Sequence, residues 1–205
     1  MAQITSGIRS VLSTPWVYDS LQNILGATRV RRDLVNEFIR PTEKDRILDI
    51  GCGTAEILAF LPSTITYCGY DISESYIDSA KKRYGNRGEF HCNYFDIEAV
   101  RKNPAFDTVL MLGALHHMDD EVAETLISLA FKALGEKGRL ITLDPCYTAS
   151  QSPFARFLIS RDRGQNVRTP EGYETLAQSV FPNTRGTIRN KTRIPYTHWI
   201  MECSK

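Results

Sequence analysis

The feature that most constrains this sequence is a regular alternation of short apolar runs with amphipathic stretches, which begins at Arg46. The apolar runs predict β-strands, and the stretches between them carry polar and apolar residues at helical spacing. Strands are predicted over 46–50, 65–70, 89–92, 107–112 and 138–143, and helices over 54–61, 73–84 and 119–134. Strands and helices that alternate at this rhythm predict an α/β fold, in which helices cover both faces of a parallel sheet.

The segments on either side of this region have different patterns. Further helices are predicted over 15–39, 153–160 and 170–180. Pro41 ends the first of these helices, and Pro170 suits the start of the last. Strands are then predicted over 184–190 and 196–203. The connection between these two strands is too short for a parallel crossover, so we expect them to pair antiparallel.

The composition is that of one ordinary globular domain of 205 residues, with 25 basic and 24 acidic side chains and a net charge of +1. A nucleic-acid-binding protein usually has a clear basic excess, so a nucleic-acid partner is not expected. The apolar runs are too short to span a bilayer, and the first residues lack the apolar core of a signal peptide. We therefore expect a cytoplasmic protein without a membrane partner.

The five cysteines are an odd number and include no C-x-x-C pair. They do not cluster with histidine along the sequence in the way that zinc ligands do. We expect reduced thiols that act as small buried residues, with neither a disulfide framework nor a metal site.

The strongest local motif is ILDIGCGTAE at 47–56. Its strand ends at Asp49, and Gly51 and Gly53 allow a sharp turn and the close approach of a ligand. The helix that follows presents unpaired backbone N–H groups. A dinucleotide site would have its third glycine where Glu56 stands, and a carboxylate there would face the pyrophosphate, which disfavours NAD and FAD. The acidic residue before the glycines favours a cationic ligand instead, and a turn without any ligand remains an alternative.

A second acidic residue, Asp71, lies at the tip of the next predicted strand, 22 residues after Asp49. A carboxylate in this position can accept hydrogen bonds from both hydroxyls of a ribose. Capping of the following helix is the alternative role, and the two roles are compatible.

Asp49, Gly51 and Gly53 form the pattern D-x-G-x-G, which resembles motif I of class I S-adenosylmethionine-dependent methyltransferases. Four more stretches resemble this family in order and spacing: YDI at 70–72, NYFDI at 93–97, FDTVLMLGALHHMDD at 106–120 and GEKGRLITLDP at 135–145. The sequence departs from the family at Ala55, where many members have a third glycine. The resemblance implies S-adenosylmethionine as the cofactor, S-adenosylhomocysteine as the product, and no metal.

The resemblance also implies a Rossmann-like fold with strand order 3-2-1-4-5-7-6, the last strand antiparallel. The implied single domain, 1–205, has four parts: an N-terminal helical lid (1–40), a cofactor-binding core (41–145), a substrate-side insertion (146–183) and a closing β-hairpin (184–205). The implied cofactor-binding residues are Tyr18, Arg31, Asp49, Gly51, Cys52, Gly53, Asp71, Ile72, Asp96, Ile97, Leu112 and Gly113. For Tyr18 and Arg31, a solvent-exposed surface helix is the alternative.

The sequence offers fewer candidates for catalytic and substrate-binding residues than for cofactor-binding ones. His116 and His117 could act as a general base, because histidine titrates near neutral pH, or could shape the turn after the fourth strand. On the substrate side the candidates are Arg163, Arg168 and Tyr173. The arginines around residue 164 favour an anionic substrate, and an exposed basic loop is the alternative.

The predicted function is transfer of a methyl group from S-adenosylmethionine to an oxygen, nitrogen or carbon atom of a small molecule, with an anionic one favoured. Two alternatives remain: a methyltransferase acting on tRNA or protein, and a non-catalytic partner protein that only binds the cofactor. The motifs report on the cofactor, so they name neither the substrate nor the oligomeric state.

Overall fold

The computed structural model describes residues 27–162, 164–190 and 196–205. The strands are β1 (Arg46–Ile50), β2 (Thr66–Asp71), β3 (Glu89–Cys92), β4 (Phe106–Leu112), β5 (Leu134–Pro145), β6 (Asn183–Asn190) and β7 (Thr197–Ser204). The α-helices of these residues are α1 (Ala27–Leu34), α2 (Glu74–Tyr84), α3 (Ile97–Lys102), α4 (Asp120–Ala133), α5 (Pro153–Ser160) and α6 (Pro170–Gln178). A π-helical turn at Val35–Ile39 extends α1, and short 3₁₀ helices lie at Glu56–Phe60, Gly85–Arg87 and Leu115–His117.

The strands form one seven-stranded sheet of order β3-β2-β1-β4-β5-β7-β6, which confirms the predicted fold. Strands β1 to β5 are parallel, whereas β7 is antiparallel to both β5 and β6. The carboxyl ends of the parallel strands therefore meet at one edge of the sheet, which is where ligands bind in open α/β folds.

The sheet is covered on both faces, and the alternation of side chains along each strand explains why. Leu48, Met111 and Leu140 point to one face and pack with α3, α4 and α6. Ile47 and Leu110, each one position away, point to the other face and pack with α1, α2 and the 3₁₀ helix Glu56–Phe60. Within the described ranges, no helix has the length and apolar character needed to cross a bilayer.

The structure differs from the sequence prediction after the glycine turn. The predicted helix over 54–61 is a 3₁₀ helix at Glu56–Phe60, because Ala55 has a left-handed backbone with φ 55°. This conformation costs an L-residue about 1–2 kcal/mol, which accounts for the glycine that the family prefers here. Complete burial of the Ala55 methyl group offsets part of that cost.

One strand begins earlier than predicted, and one predicted helix is described only in part. Strand β5 begins at Leu134 rather than at residue 138, because Leu134 pairs with Phe106 before an irregularity in the ladder. Of the helix predicted over 15–39, Ala27–Leu34 is α-helical, and residues 1–26 lie outside the described residues.

Candidate cofactor and acceptor site

The glycine turn after β1 lies at the carboxyl edge of the sheet and is held by its own backbone. The N–H groups of Gly51 and Cys52 both donate to the carbonyl of Tyr70, at 2.8 and 3.0 Å. Gly51 and Gly53 have φ values of 77° and 55°, which favour glycine. A Cβ atom on Gly51 would lie 3.2 Å from the Cβ of Ala114, whereas one on Gly53 would meet nothing within 4 Å. The turn is thus tight on one side and open on the other.

Asp71 lies beside this turn, at the end of β2. Its Oδ2 accepts a hydrogen bond from the N–H of Gly53 at 2.9 Å, and its Oδ1 accepts one from the N–H of Ser73 at 2.8 Å. Burial raises the pKa of Asp71, and these backbone hydrogen bonds oppose the rise. Each carboxylate oxygen has more than one acceptor site, so the fixed carboxylate can still accept bonds from a diol.

Asp49 is buried beneath the turn, with 2% of its surface exposed. Its Oδ2 accepts a hydrogen bond from the hydroxyl of Tyr67 at 2.7 Å. Its Oδ1 has no hydrogen-bond partner among the described residues. Burial raises the pKa of Asp49 to about 7, although the hydrogen bond from Tyr67 acts to lower it. A cation placed above the turn would stabilise the ionised form of this carboxyl group.

Apolar side chains are exposed where β2 and β3 end. Ile72 and Ile97 are 44% and 39% exposed, although most large apolar residues of the chain are buried. Asp96 precedes Ile97 and caps α3 by accepting a hydrogen bond from the N–H of Ala99 at 2.9 Å. An exposed carboxylate next to open apolar side chains is suited to a flat, polar-edged ring such as adenine.

Leu112 and Gly113 continue this edge at the end of β4, and both are half-buried. Gly113 has a φ of 72°, and its N–H donates to the carbonyl of Leu143 at 2.7 Å. The structure therefore places the predicted residues from β1, β2, β3 and β4 along one edge, including the half-buried Cys52. Arg31 is half-buried on α1, and Tyr18 lies outside the described residues.

His116 is buried, with 6% of its surface exposed, and its ring lies between two carboxylates. Its Nδ1 is 2.7 Å from Oδ1 of Asp144, and its Nε2 is 3.3 Å from Oδ1 of Asp162. Burial lowers the pKa of His116, but the bonds to both carboxylates outweigh it and raise the value to about 9. An imidazole that is already protonated at pH 7 cannot accept a proton, so this arrangement argues against His116 as a general base.

The same network fixes the segment after β5. Burial opposes ionisation of Asp162, but the hydrogen bond and charge of His116 hold its pKa well below the usual range. The hydroxyl of Tyr196 donates to Oδ2 of Asp162. Gly164 packs directly on His116, since a Cβ there would lie 2.0 Å from the ring. His116 therefore shapes this part of the fold, the alternative role raised by the sequence, while His117 lies half-buried beside it with ring centroids 4.0 Å apart.

The substrate-side candidates are placed differently from the prediction. The Arg168 guanidinium donates to the carbonyls of Leu115, Met118 and Asn166 and pairs with Asp120. Tyr173 is completely buried and donates its hydroxyl hydrogen to the carbonyl of Pro145 at 3.0 Å. Both side chains are therefore committed to the protein interior, and neither is presented to a substrate. Arg163 lies outside the described residues.

A pocket that the sequence did not reveal lies in the same segment. Its volume is about 250 Å³, and its described lining is Tyr147, Ile159, Ser160, Asp162, Gly164, Gln165 and Val167. Asp162 joins this pocket to His116, which follows β4. No local sequence pattern marks the pocket, because α5, the following loop and β5 come together only in the folded chain.

Residues 48–140 match the sequence profile of a family described as a methyltransferase domain. This range covers a little under half of the chain, and the match agrees with the resemblance to class I methyltransferases that the sequence motifs indicated. The matched range contains the glycine turn, Asp71, Asp96 and Gly113. The match therefore favours S-adenosylmethionine over a dinucleotide as the ligand of the glycine turn. Glu56 argues less strongly against a dinucleotide than the sequence suggested, because its carboxylate is ion-paired with Arg83.

Two curated proteins are similar to this chain in sequence, and solved structures share its fold. The chain is 29% identical over 105 residues to an O-methyltransferase of Pyrenophora dematioidea, covering 48% of this chain and 39% of that protein. It is 26% identical over 159 residues to the O-methyltransferase cnsE of Penicillium expansum, covering 67% and 55%. The chain thus spans about half the length of the relatives that it matches. A methyltransferase of Archaeoglobus fulgidus has the same fold, with a TM-score of 0.71 and 17% identity over 92% of this chain and 100% of that one.

Proposed function

We propose that this chain transfers a methyl group from S-adenosylmethionine to an oxygen atom of a small molecule. The observation that carries the proposal is the carboxyl edge of the sheet, where Asp71 and the open side of the glycine turn are hydrogen-bonded into one rigid unit. The two relatives are O-methyltransferases by name, which supports oxygen as the accepting atom.

The residues at this edge fit the parts of the cofactor. Asp71 would accept hydrogen bonds from the ribose hydroxyls, and Asp96 would bind the edge of the adenine. Ile72 and Ile97, which are exposed, would cover the adenine faces. The open side of Gly53 and the half-buried Leu112–Gly113 turn leave space for the methionine part. Asp49, whose Oδ1 has no hydrogen-bond partner in the part of the chain that the structure describes, would face the positive charge of the bound cofactor. Cys52, Arg31 and Tyr18 remain predicted contacts.

When bound, S-adenosylmethionine supplies an electrophilic methyl carbon on a sulfonium, so the carbon–sulfur bond breaks as the carbon–oxygen bond forms and S-adenosylhomocysteine is left. The protein has to align the acceptor oxygen with that carbon and exclude water. His116 serves as a positioning residue through Asp162 rather than as the base. His117, the second histidine predicted as a candidate base, is proposed to take the acceptor's proton.

The pocket lined by Asp162, Tyr147 and Val167 is proposed as the acceptor site. Its volume of about 250 Å³ suits a small molecule and leaves no room for a folded partner. The negative charge of Asp162, the one carboxylate in the described lining of the pocket, disfavours an anionic acceptor. The prediction of an anionic substrate now depends on Arg163, since Arg168 is bound to protein groups. Cytoplasmic location and the division into lid, core, insertion and hairpin also remain predictions.

The test is an acceptor screen with the full chain and S-adenosylmethionine carrying a labelled methyl group. The panel should contain small phenols and alcohols, matched carboxylic acids and amines, and separately tRNA and a protein extract. The proposal predicts labelled methyl ethers and an equal amount of S-adenosylhomocysteine. Label transfer to tRNA or protein alone would contradict it and favour the macromolecular alternative. Cofactor binding without transfer to any acceptor class would favour the non-catalytic one.

A further inference from the structure

Three potential metal ligands lie together on strands β2 and β3, outside the site described above. They are Cys68, Glu89 and His91, whose ligand atoms all lie within 4.8 Å of one another. The strand register explains their proximity, because Cys68 pairs with Glu89 and Tyr70 pairs with His91. Paired residues in neighbouring strands point to the same face, and so do residues two apart in one strand. All three side chains therefore share the face that packs with α3 and α4.

We propose that Cys68, Glu89 and His91 bind a zinc ion that fastens the edge strand β3 to β2. A thiolate, an imidazole and a carboxylate are the three ligand types that proteins use for zinc. Three protein ligands leave the fourth tetrahedral position to water. The soft thiolate and the imidazole disfavour magnesium and calcium, which prefer ligands that are all oxygen.

The distances are close to those that zinc requires. Tetrahedral zinc with ordinary bond lengths places its ligand atoms about 3.3–3.6 Å apart. Nε2 of His91 is 3.8 Å from Oε2 of Glu89 before any adjustment. The imidazole is held in place by stacking on Tyr70, with centroids 4.5 Å apart and ring planes 20° from parallel. Glu89 is exposed and can change rotamer freely, so a shift of its carboxylate can close the site.

The charges of the three ligands also suit a zinc ion. Zinc would displace the proton of the Cys68 thiol to the solvent and form the Zn–S bond, as it does with other thiols. The thiolate and the Glu89 carboxylate then balance the two positive charges of the ion.

The zinc site does not depend on the proposed methyl transfer. The ion would link β3, the edge strand of the sheet, to β2, which is the strand that pairs with it. Asp71 follows Tyr70 directly and ends β2, and Asp96 lies in the segment that joins β3 to α3. A zinc ion here would therefore stabilise the two strands that lead to these carboxylates. No metal site was expected from the sequence, because Cys68 lies 21 residues before Glu89 and only the strand register brings it to Glu89 and His91.

The site can be tested with tag-free full chain that has been stripped with a chelator and then titrated with zinc. At zinc concentrations about 100 times the Kd, the melting temperature should rise by roughly 5–10 °C. The rise should be lost in His91→Gln and in Cys68→Ser and kept in Cys92→Ser, which removes the neighbouring exposed cysteine. His91 is half-buried, so its variant avoids the loss of core packing that Cys68→Ser risks.

Cobalt gives a second readout that does not depend on stability. Co²⁺ added to the stripped chain should produce a thiolate-to-metal absorption band, absent in Cys68→Ser and present in Cys92→Ser. Three results would overturn the proposal: no rise in melting temperature with zinc, a rise that persists in His91→Gln, or a band that disappears with Cys92 instead of Cys68.

Discussion

The carboxyl edge of β1–β4 and the segment after β5 satisfy their polar groups in opposite ways. At the edge, Asp71 is fixed by two backbone N–H groups, and Ile72 and Ile97 remain open to solvent. After β5, Arg168 is satisfied by protein carbonyls, and Asp162 by His116 and Tyr196. The first region holds its side chains ready for a ligand, whereas the charged residues of the second mainly hold the chain together. The number of charges in a segment is therefore a poor guide to what it binds unless their partners are known.

The largest expected effect comes from Arg168→Met. This change removes the guanidinium donor from the carbonyls of Met118 and Asn166 and leaves the carbonyl of Leu115 with only the backbone N–H of Met118. Unsatisfied buried groups cost about 1–3 kcal/mol each, so the free energy of unfolding should fall by about 2–4 kcal/mol. Chemical denaturation measures this fall. If stability were unchanged and only the acceptor KM rose, Arg168 would be a substrate residue after all, and the contrast between the two regions would fail.

Alkaline pH should weaken the network around His116. The pKa of His116 is about 9 in the folded chain and about 6.5 in the unfolded one, so its stabilisation is complete below pH 6.5 and lost as the pH rises through 9. Between pH 6.5 and 9.5 the loss should be about 2–3 kcal/mol. Buried thiols also destabilise the fold in this range, so the quantity to compare is the slope of unfolding free energy with pH.

His116→Gln should have a clearly shallower slope over the same range, measured by denaturation at each pH. Its absolute stability will be lower because Asp144 and Asp162 lose a partner, but that offset does not affect the slope. Parallel slopes for the two proteins would mean that His116 is neutral at pH 7, and its role as a base would have to be considered again.

At the carboxyl edge, Asp71→Ala should reduce the affinity for S-adenosylmethionine ten- to hundredfold, because two hydrogen bonds to a charged group are lost. Asp78→Asn, on the exposed face of α2, is the matched control and should bind as the unaltered chain does. Calorimetric titration measures both affinities. Equal affinities for Asp71→Ala and the unaltered chain would remove Asp71 from the ribose site.

The smallest effect is expected for Ala55→Gly. Glycine relieves the left-handed strain at φ 55° but loses a buried methyl group and gains freedom in the unfolded chain. These contributions nearly cancel, so the free energy of unfolding should change by less than about 1 kcal/mol. A gain of several kcal/mol in denaturation experiments would show that the strain at this turn is larger than its backbone angle indicates.

Sequence patterns predict well the parts of this molecule that depend on neighbours along the chain. The strand–helix rhythm predicted a parallel sheet covered on both faces, and the family resemblance implied its strand order. The glycines at 51 and 53 marked a turn whose backbone angles favour glycine. Ala55 was recognised as a departure from the family, although its effect on the following helix was not foreseen. The periodicity of each element and the glycine turn are properties of residues that are close together along the chain.

Contacts between distant segments could not be predicted in this way. Arg168 finds its carbonyl acceptors about fifty residues earlier in the chain, and Tyr173 is buried against the end of β5. Asp162 meets His116 only because the segment after β5 folds back over the end of β4. The sequence alone therefore does not show whether an arginine is exposed to solvent or hydrogen-bonded to other parts of the protein.

The central claim, that the carboxyl edge of β1–β4 binds S-adenosylmethionine, is tested most directly by calorimetric titration of the full chain. S-adenosylmethionine and S-adenosylhomocysteine should each be titrated, with NADH as the control ligand. The account predicts micromolar binding of the first two compounds at one site per chain, and none of NADH. Binding of NADH, or absence of binding by both adenosyl compounds to the folded chain, would contradict it.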